Sequence, residues 1–237
     1  MREEAIELIK KGYSLNKIKS ITGINKSSLY YHYKKINGRK YNLIKINDCN
    51  KQKIGEFIGI FTGDGNFFFD KNKHHYRITI YTGLYEEDYR KHLKRLFKDL
   101  FSKTPRIYKN YKTNVQLTQY YSKDIYLLIK RYLTWNKNKT KSVRLKKIMF
   151  NEQNFLIGFL RGLFDTDGGI YKKKNKVAFG TASKYLAYQI RNILKSFNLP
   201  PGFYKYSNKD FYYIDLYGDR TRRFMKLIKP NNTNKIL

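Results

Sequence analysis

The sequence is poor in the residues that hold small proteins together covalently or through metal ions. It contains one cysteine, Cys49, so an internal disulfide framework and a cysteine-based zinc cluster are both excluded. Its four histidines show none of the spacings that are typical of metal ligands. We therefore interpret Cys49 as a free thiol in a connecting segment.

Long hydrophobic runs are also missing. The longest, residues 155–160, is interrupted by Gly158 and is far shorter than the roughly 20 apolar residues of a membrane-spanning helix. The N-terminus, Met1-Arg2-Glu3-Glu4, does not resemble a signal peptide. We expect no membrane partner, and a location in the cytoplasm, at the nucleoid or in an organelle.

Acidic residues are scarce. The chain has 18 Asp and Glu against 50 Lys and Arg, which gives a formal net charge of +32 over 237 residues. Hydrophobic residues make up 41% and aromatic residues 17%, so a disordered basic tail is excluded. A folded chain with this charge favours a polyanionic partner, nucleic acid before an anionic membrane. We expect no small-molecule substrate.

The first 37 residues have the pattern of a small all-α module. Three short helices are predicted, with Ser14 as the N-cap of the second: Arg2–Lys11, Leu15–Thr22 and Lys26–Lys35. A helix, a glycine turn and a polar, basic helix resemble a helix-turn-helix, whose last helix lies in the DNA major groove. The alternative is a helical hairpin used for packing. The predicted DNA contacts of this module are Ser27, Ser28, Tyr31 and Lys34.

The rest of the chain repeats one pattern. Residues 38–53 are polar and basic, and we interpret them as a linker. From residue 54 onward, a glycine-rich helix is followed twice by two strands, a helix, two strands and a helix. Repeat 1 is predicted over residues 54–150 and repeat 2 over residues 151–237. The expected fold class is α+β, with two pseudo-symmetric αββαββα repeats after a small all-α domain.

Both repeats open with a helix that carries small residues at every fourth position. These residues are Gly55, Gly59 and Gly63 in repeat 1, and Gly158, Gly162 and Thr166 in repeat 2. A glycine inside a helix costs about 1 kcal/mol relative to alanine, so the pattern needs a compensating gain. Close packing of one helix backbone against another provides that gain. We predict that the two helices pack against each other about a pseudo-two-fold axis.

Each of these helices ends in an acid. Asp64 follows Gly63 and Asp167 follows Thr166, so both acids lie beside the predicted helix pair. Two carboxylates at two negative helix ends repel each other unless a cation lies there. The residues therefore favour an oxygen-ligand site for Mg²⁺ or another divalent cation such as Mn²⁺. A single Asp-Gly pair would indicate only a turn, but here it ends both helices.

The segments Phe-Ile-Gly-Ile-Phe-Thr-Gly-Asp-Gly (57–65) and Leu-Arg-Gly-Leu-Phe-Asp-Thr-Asp-Gly (160–168) resemble the motifs of a LAGLIDADG homing endonuclease in its monomeric, two-motif form. The resemblance covers about residues 54–237. It implies saddle-shaped antiparallel sheets in the DNA major groove. It also implies cleavage of both strands across the minor groove, with 3′ overhangs, at a long, roughly pseudo-palindromic site. Repeat 1 departs from the motif at Thr62. Repeat 2 has Asp165 at the equivalent position, which usually supports structure rather than metal binding.

The resemblance also implies residue roles. The implied metal ligands are Asp64, Asp167 and the main-chain carbonyls of Gly63 and Thr166. A catalytic basic residue is implied after the last helix of each repeat. We predict Lys141 and Lys235 for this role, with Lys139 as a rival, although anchoring of phosphates or simple solvation fits these lysines equally well.

The predicted strands supply base contacts. Side chains alternate between the two faces of a strand, and the polar faces here carry types that pair with base edges. Lysine-rich turns would contact phosphates. The alternative, a solvated sheet face, would carry more Glu and fewer Lys and Tyr. The predicted DNA contacts in the repeats are Lys71, Lys73, Arg77, Thr79, Tyr81, Gln116, Lys172, Lys174, Lys205, Tyr213 and Asp215.

Two other functions stay open on this fold. One is a non-cleaving, DNA-binding transcriptional regulator, which the presence of both acids argues against. The other is a maturase that assists splicing of a host intron, with intron RNA as its partner. No residues of an intein splice junction are present, so we expect a free-standing or intron-encoded protein.

Overall fold

The structure, a computed structural model, describes residues 1–37, 46–47, 49–72, 75–146, 151–206 and 208–235. It divides into two compact units, Met1–Leu43 and Ile44–Leu237. Most of the predicted linker lies outside the described residues. No helix within the described ranges is long and apolar enough to cross a membrane.

The first unit is a bundle of three helices, α1 (Arg2–Lys10), α2 (Leu15–Thr22) and α3 (Lys26–Asn37). As predicted, the Ser14 side chain caps α2 by accepting a hydrogen bond from the Lys17 N–H. Gly23 ends the same helix with φ at 67°, a left-handed conformation that glycine adopts without strain. The core of the unit consists of Ala5, Ile9, Leu15, Ile18 and Leu29.

The second unit contains the two repeats. Repeat 1 comprises α4 (Lys51–Asp64), β1 (Gly65–Asp70), β2 (His75–Gly83), α5 (Glu87–Phe101), β3 (Arg106–Asn110), β4 (Val115–Tyr121) and α6 (Lys123–Tyr132). A short connection follows, with β5 (Leu133–Thr134), α7 (Lys139–Ser142) and β6 (Arg144–Leu145). Repeat 2 comprises α8 (Gln153–Asp167), β7 (Gly168–Tyr171), β8 (Lys176–Thr181), α9 (Lys184–Ser196), β9 (Gly202–Lys205), β10 (Tyr212–Tyr217) and α10 (Asp219–Ile228). The predicted α+β class with two αββαββα repeats is confirmed.

Each repeat forms one antiparallel sheet. Sheet 1 has the strand order β1-β2-β4-β3, and sheet 2 has the equivalent order β7-β8-β10-β9. One face of each sheet packs on the helices: Tyr120 of sheet 1 meets Phe97 and Phe101 of α5 edge-on, with ring centroids 5.8 and 5.4 Å apart. We call the opposite face of each sheet, which no helix of its own repeat covers, its open face.

The helices α4 and α8 meet backbone to backbone at the centre of the unit, along what we call the seam. A Cβ on Gly59 would overlap the carbonyl oxygen of Phe159, and a Cβ on Gly162 would overlap that of Glu56. The glycines are therefore required by the close approach of the two helices, as predicted.

The start of α4 corrects the predicted boundary between linker and repeat. The helix begins at Lys51 rather than at residue 54, because the Asn50 side chain caps it by accepting a hydrogen bond from the Lys53 N–H at 3.0 Å. Residues 51–53 therefore belong to the seam helix. Cys49 precedes this cap as a free, exposed thiol.

Candidate active site

The seam brings Asp64 and Asp167 to the same end of the helix pair. The carboxyl carbon of Asp167 lies 3.1 Å from the position that a Cβ on Gly63 would take, and Gly63 directly precedes Asp64. Neither carboxylate forms a hydrogen bond or an ion pair with another described residue. Two close acids thus lie at the C-terminal ends of two helices with no hydrogen-bond or ion-pair partner among the described residues.

The pKa values of both acids reflect this placement. Desolvation, together with repulsion from Asp167 and Glu86, raises the pKa of Asp64 from 3.8 to about 6 against the opposing effect of Lys139 and Lys235. Desolvation also raises the pKa of Asp167, and the two lysines oppose that change. The two acids differ in that repulsion from Asp167 and Glu86 adds to desolvation at Asp64, whereas desolvation is the main cause of the rise at Asp167.

Lys139, in the first turn of α7, reaches the C-terminal end of α4. Its Nζ donates hydrogen bonds to three main-chain carbonyls, those of Phe61 at 2.7 Å, Thr62 at 2.8 Å and Gly63 at 3.1 Å. Burial lowers the pKa of Lys139 to about 8, although Asp167 and Asp64 favour its charged form. The amine can therefore gain or lose a proton near neutral pH.

Lys235 occupies the equivalent position in repeat 2. Its Nζ donates to the carbonyl oxygens of Thr166, at 3.4 Å, and Gly168, at the C-terminal end of α8. The third predicted lysine, Lys141, is exposed and is not among the groups that shift the pKa of either acid. This corrects the order of preference in repeat 1: residues two apart on a helical turn point in nearly opposite directions, and Lys139 is the one that faces the seam.

Two cavities flank the acid pair, and each joins an acid of one repeat to the lysine of the other. The first, of about 420 Å³, is lined by Asp167, Gly63 and Lys139 and is walled by sheet 2. The second, of about 550 Å³, is lined by Asp64, Thr166 and Lys235 and is walled by sheet 1. The pseudo-two-fold symmetry of the repeats thus extends to their chemical groups.

The donor atoms fit a hard divalent cation. Carboxylate and main-chain carbonyl oxygens are the protein ligands that Mg²⁺ and Ca²⁺ prefer. The ammonium groups of Lys139 and Lys235 already lie on the carbonyl oxygens at the two helix ends, so positive charge is favoured there. No group of three or more His, Cys, Asp or Glu suited to a metal occurs among the described residues. A cation here would therefore depend on main-chain oxygens and water besides the two acids.

The open face of sheet 1 carries three of the predicted base contacts. The guanidinium of Arg77 lies over the ring of Phe68, at 4.8 Å from its centroid. Tyr81 is exposed, whereas Thr79 is only 4% exposed. Arg77 and Tyr81 are thus the more accessible of the three.

Strand pairing adds polar residues to this face that the sequence did not single out. Asn66 and Gln119 both lie opposite Thr79, and Arg106 pairs with Gln119. The guanidinium of Arg106 lies 5.1 Å from the ring centroid of Tyr121. The register of pairing decides which residues become neighbours, and alternation along one strand does not reveal it.

Gln116 is a wrong prediction for a base contact. It pairs with Thr82 and therefore lies on the helix-packed face of sheet 1, where it is 6% exposed. Its Oε1 accepts a hydrogen bond from Nη1 of Arg90 in α5 at 3.1 Å. The alternation of side chains along β4 was predicted correctly, but the face that carries Gln116 is the face that the helices cover.

The open face of sheet 2 holds Tyr213 and Asp215, with Asp215 only 2% exposed. Its Oδ2 lies 3.2 Å from Nζ of Lys176, which also donates to the Tyr217 hydroxyl at 3.0 Å. The Tyr213 hydroxyl in turn donates to that of Tyr171 at 2.8 Å. Asp215 is thus paired and covered in the protein alone, which contradicts its prediction as a direct base contact.

The predicted phosphate contacts are exposed where the structure describes them. Lys71 follows β1, while Lys172 and Lys174 lie in the short 3-10 turn after β7. Lys205 is about half exposed and forms an ion pair with Asp210 at 3.2 Å. Lys73 lies outside the described residues. In the first unit, the exposed surface of α3 presents Ser27, Ser28, Tyr31 and Lys34.

A buried polar network lies behind the seam, and the sequence analysis did not predict it. Glu56 is 2% exposed in the middle of α4, and its carboxylate contacts Arg161 at 3.2 Å and His92 at 2.5 Å. It also accepts a hydrogen bond from the Asn231 side chain at 3.0 Å. A glutamate within the apolar stretch of a seam helix was the available signal, because a buried charge needs partners.

Parts of the sequence are similar to those of known proteins. Residues 154–229 match the LAGLIDADG-like domain family. The chain is 31% identical over 191 residues to the replication factor C small subunit of Methanocaldococcus jannaschii, and 25% identical over 171 residues to a DNA polymerase of Thermococcus kodakarensis. These alignments cover 74% and 66% of this chain, respectively, but only 9% of the length of either relative.

Solved structures share the fold across both repeats. The homing endonuclease I-DmoI in complex with DNA and Mn matches with a TM-score of 0.60 and 16% identity, over 75% of this chain and 96% of that one. I-WcaI bound to its DNA recognition sequence matches with 0.58 and 22%, over 92% and 97%. The N-terminal LAGLIDADG domain of DUF199/WhiA matches with 0.52 and 18%, over 76% and 83%. Residues 154–229 therefore contain a LAGLIDADG-like domain, and the two repeats together have the fold of these homing endonuclease structures.

Proposed function

We propose that this protein is a site-specific DNA endonuclease that cleaves both strands of a long, roughly pseudo-palindromic duplex site by metal-assisted hydrolysis. The observation that carries the proposal is the pair of cavities at the seam. Each contains an acid from one repeat and a lysine from the other. Two equivalent sets of groups about a pseudo-two-fold axis match the two antiparallel strands of a duplex, with one phosphodiester for each set.

The chemistry follows from the groups that line the cavities. Asp64 and Asp167 would hold Mg²⁺ or Mn²⁺ with the carbonyls of Gly63 and Thr166, and the cation would lower the pKa of a bound water. The raised pKa of Asp64 makes its ionised form unfavourable without a cation, so binding of one relieves that cost. Lys139 and Lys235 supply positive charge beside the acids, where it can stabilise a phosphate as negative charge develops on it.

The open faces of the two sheets would lie along the major groove on either side of the cleaved step. Arg77 and Arg106 are the residues on sheet 1 best suited to reading guanine, and Asn66, which is exposed, is best suited to reading adenine. Lys71, Lys172 and Lys174 would contact phosphates. Cleavage between the two halves would occur across the minor groove and leave 3′ overhangs, as the LAGLIDADG resemblance implies.

The first unit would extend the DNA contact. Its exposed α3 carries small polar, aromatic and basic side chains and no acidic residue, as a recognition helix in a major groove does. Replacement of both Tyr31 and Lys34 by Ala in the full chain should therefore shorten the protected footprint on the target while cleavage of the core site continues. An unchanged footprint would assign α3 to another role.

Selection of cleaved duplexes from a randomised DNA library in Mg²⁺, with sequencing of both cut ends, tests the endonuclease directly. The wild-type protein should yield one preferred site with 3′ overhangs. Asp64→Asn and Asp167→Asn should bind the selected site and cut neither strand at a measurable rate. Normal cleavage by either variant in Mg²⁺ would show that the seam acids are not the metal ligands.

A non-cleaving DNA-binding regulator is the second candidate function. The match to the LAGLIDADG domain of WhiA and the three-helix first unit favour it. The same selection separates the two functions: tight, sequence-specific binding with no cut product in Mg²⁺ or Mn²⁺ would establish the regulator. The two acids, which form no hydrogen bond or ion pair with a described residue, favour the nuclease, because a binding protein has no need of them.

A further inference from the structure

The segment after α10 turns back onto α8 and carries Lys235 to the seam. Lys229 ends α10 with φ at 46°, and the chain then passes Asp165, which is 1% exposed. The Asp165 carboxylate accepts hydrogen bonds from the main-chain N–H groups of Asn231 and Asn232, each at 3.1 Å. We call Asp165, Asn231 and Asn232 the tail clamp.

The side chain of Asn232 extends the tail clamp in two directions. Its Nδ2 donates to the main-chain oxygen of Asp165 at 3.0 Å and to Oε1 of Glu86, in repeat 1, at 2.7 Å. The Asn232 main-chain oxygen accepts a hydrogen bond from the Lys235 N–H at 2.8 Å. The main chain at Lys235 is thus joined to α8 through a residue that is itself 1% exposed.

Repeat 1 holds its lysine in another way. Thr62 occupies the position of Asp165, and its hydroxyl donates to the Ile58 oxygen of its own helix at 2.7 Å. Lys139 lies instead in α7, which the Asn138 side chain caps. The end of that segment is fixed where the Val143 oxygen accepts a hydrogen bond from the Ser183 hydroxyl at 2.7 Å. Thr62, where the first motif departs from the family pattern, thus bonds within its own helix, whereas Asp165 holds the segment that carries Lys235.

We propose that Asp165 and Asn232 are positioning residues, which hold Lys235 in the cavity that it shares with Asp64 while Lys139 is held independently of them. The two cavities are chemically alike, but their lysines have unequal supports. Loss of the tail clamp should therefore impair one cavity and spare the other. In an enzyme with one phosphodiester in each cavity, one strand would then be cut more slowly than the other. This consequence rests on the proposed endonuclease function.

Strand-resolved cleavage of the selected target, with a different label on each strand, measures the consequence. Lys235→Met and Lys139→Met are the reference variants, and each should slow one strand, a different one in each case. Asp165→Thr places in repeat 2 the residue that repeat 1 already uses. It should slow the strand that depends on Lys235 by about 10- to 100-fold and leave the other within about twofold, so that nicked product accumulates.

Two further variants separate positioning from a general loss of structure. Asn232→Ala, which leaves α8 unaltered, should slow the same strand, although less than Asp165→Thr does. The double variant Asp165→Thr/Lys235→Met should be no slower than Lys235→Met alone, because the tail clamp acts through that lysine. Equal slowing of both strands, slowing of the strand that depends on Lys139, or additive losses would each overturn the proposal.

Amine reactivity tests the tail clamp without any cleavage. Reductive methylation followed by mass spectrometry of the full chain should modify Lys235 slowly in the wild type and several-fold faster in Asp165→Thr. Lys139 should react at the same rate in both proteins. Unchanged protection of Lys235 would overturn the proposal. If the wild type binds its site but cuts neither strand, the endonuclease function fails, and this measurement still decides whether the tail clamp holds the lysine.

Discussion

Asp64→Asn should make the metal-free protein more stable at neutral pH while it abolishes cleavage. Folding raises the pKa of Asp64 from 3.8 to about 6. Each pH unit of such a rise corresponds to about 1.4 kcal/mol, so ionised Asp64 opposes folding by up to about 3 kcal/mol at neutral pH. Solvent around the partly buried side chain weakens the effect, and we expect asparagine to stabilise the protein by about 1–2 kcal/mol.

The effect has a definite dependence on pH. An acid whose folded-state pKa is raised leaves folding unopposed below its unfolded-state pKa, because it is then protonated in both states. Its opposition grows as the pH rises from about 4 to about 6 and is complete above that range. The gain from Asp64→Asn should therefore be present near neutral pH and absent near pH 4.

Urea denaturation at both pH values, with a chelator present, measures the gain. Asp99→Asn is the matched control: Asp99 is 48% exposed and forms an ion pair with Lys53 at 2.7 Å, so its loss should change stability by less than about 1 kcal/mol. Added Mg²⁺ should raise the stability of the wild type and leave that of Asp64→Asn unchanged. Equal stability of wild type and Asp64→Asn at neutral pH, or a gain that persists near pH 4, would refute the interpretation of the seam acids as an uncompensated pair.

Three further predictions concern the seam, the metal and the DNA face. Gly162→Ala should lower the free energy of unfolding by about 1–3 kcal/mol in urea, because its methyl group would overlap the Glu56 oxygen; an unchanged midpoint would mean that the helices are less close than described. The thermal stabilisation by Mg²⁺ should increase as the pH rises through about 6, where Asp64 ionises, and a stabilisation independent of pH would exclude Asp64 as a ligand. Arg77→Ala should relax the base preference at one position of the selected site by about 1–3 kcal/mol, and a site preference identical to that of the wild type would remove Arg77 from base recognition.

Much of the fold could be predicted because local patterns and backbone sterics point the same way. The glycines at Gly59 and Gly162 make sense only if another backbone approaches closely, so the seam was predictable without coordinates. The acids Asp64 and Asp167 follow the glycine pattern directly, so their meeting at one end of the seam was predictable as well. The Ser14 cap of α2 is a similar case, because capping depends on residues close in sequence.

The wrong predictions concern contacts between residues far apart in the chain. The two-residue period of β4 predicts two faces but does not say which one the helices cover, and Gln116 lies on the covered face, against Arg90. Asp215 has a base-reading side chain, but it pairs with Lys176 of the neighbouring strand. Lys141 and Lys139 are the same residue type two positions apart, and only the direction of α7 relative to the seam distinguishes them.

The sequence by itself determined the scarcity of acids, the twofold repeat and the pair of helices that must pack closely. These features depend on composition and local spacing, which a single chain displays directly. The tertiary structure alone decided which lysine meets which acid and how residues 231–235 are held to α8. It did so because a flexible lysine and an irregular tail acquire their positions from distant partners, such as Asp165 for the segment that carries Lys235.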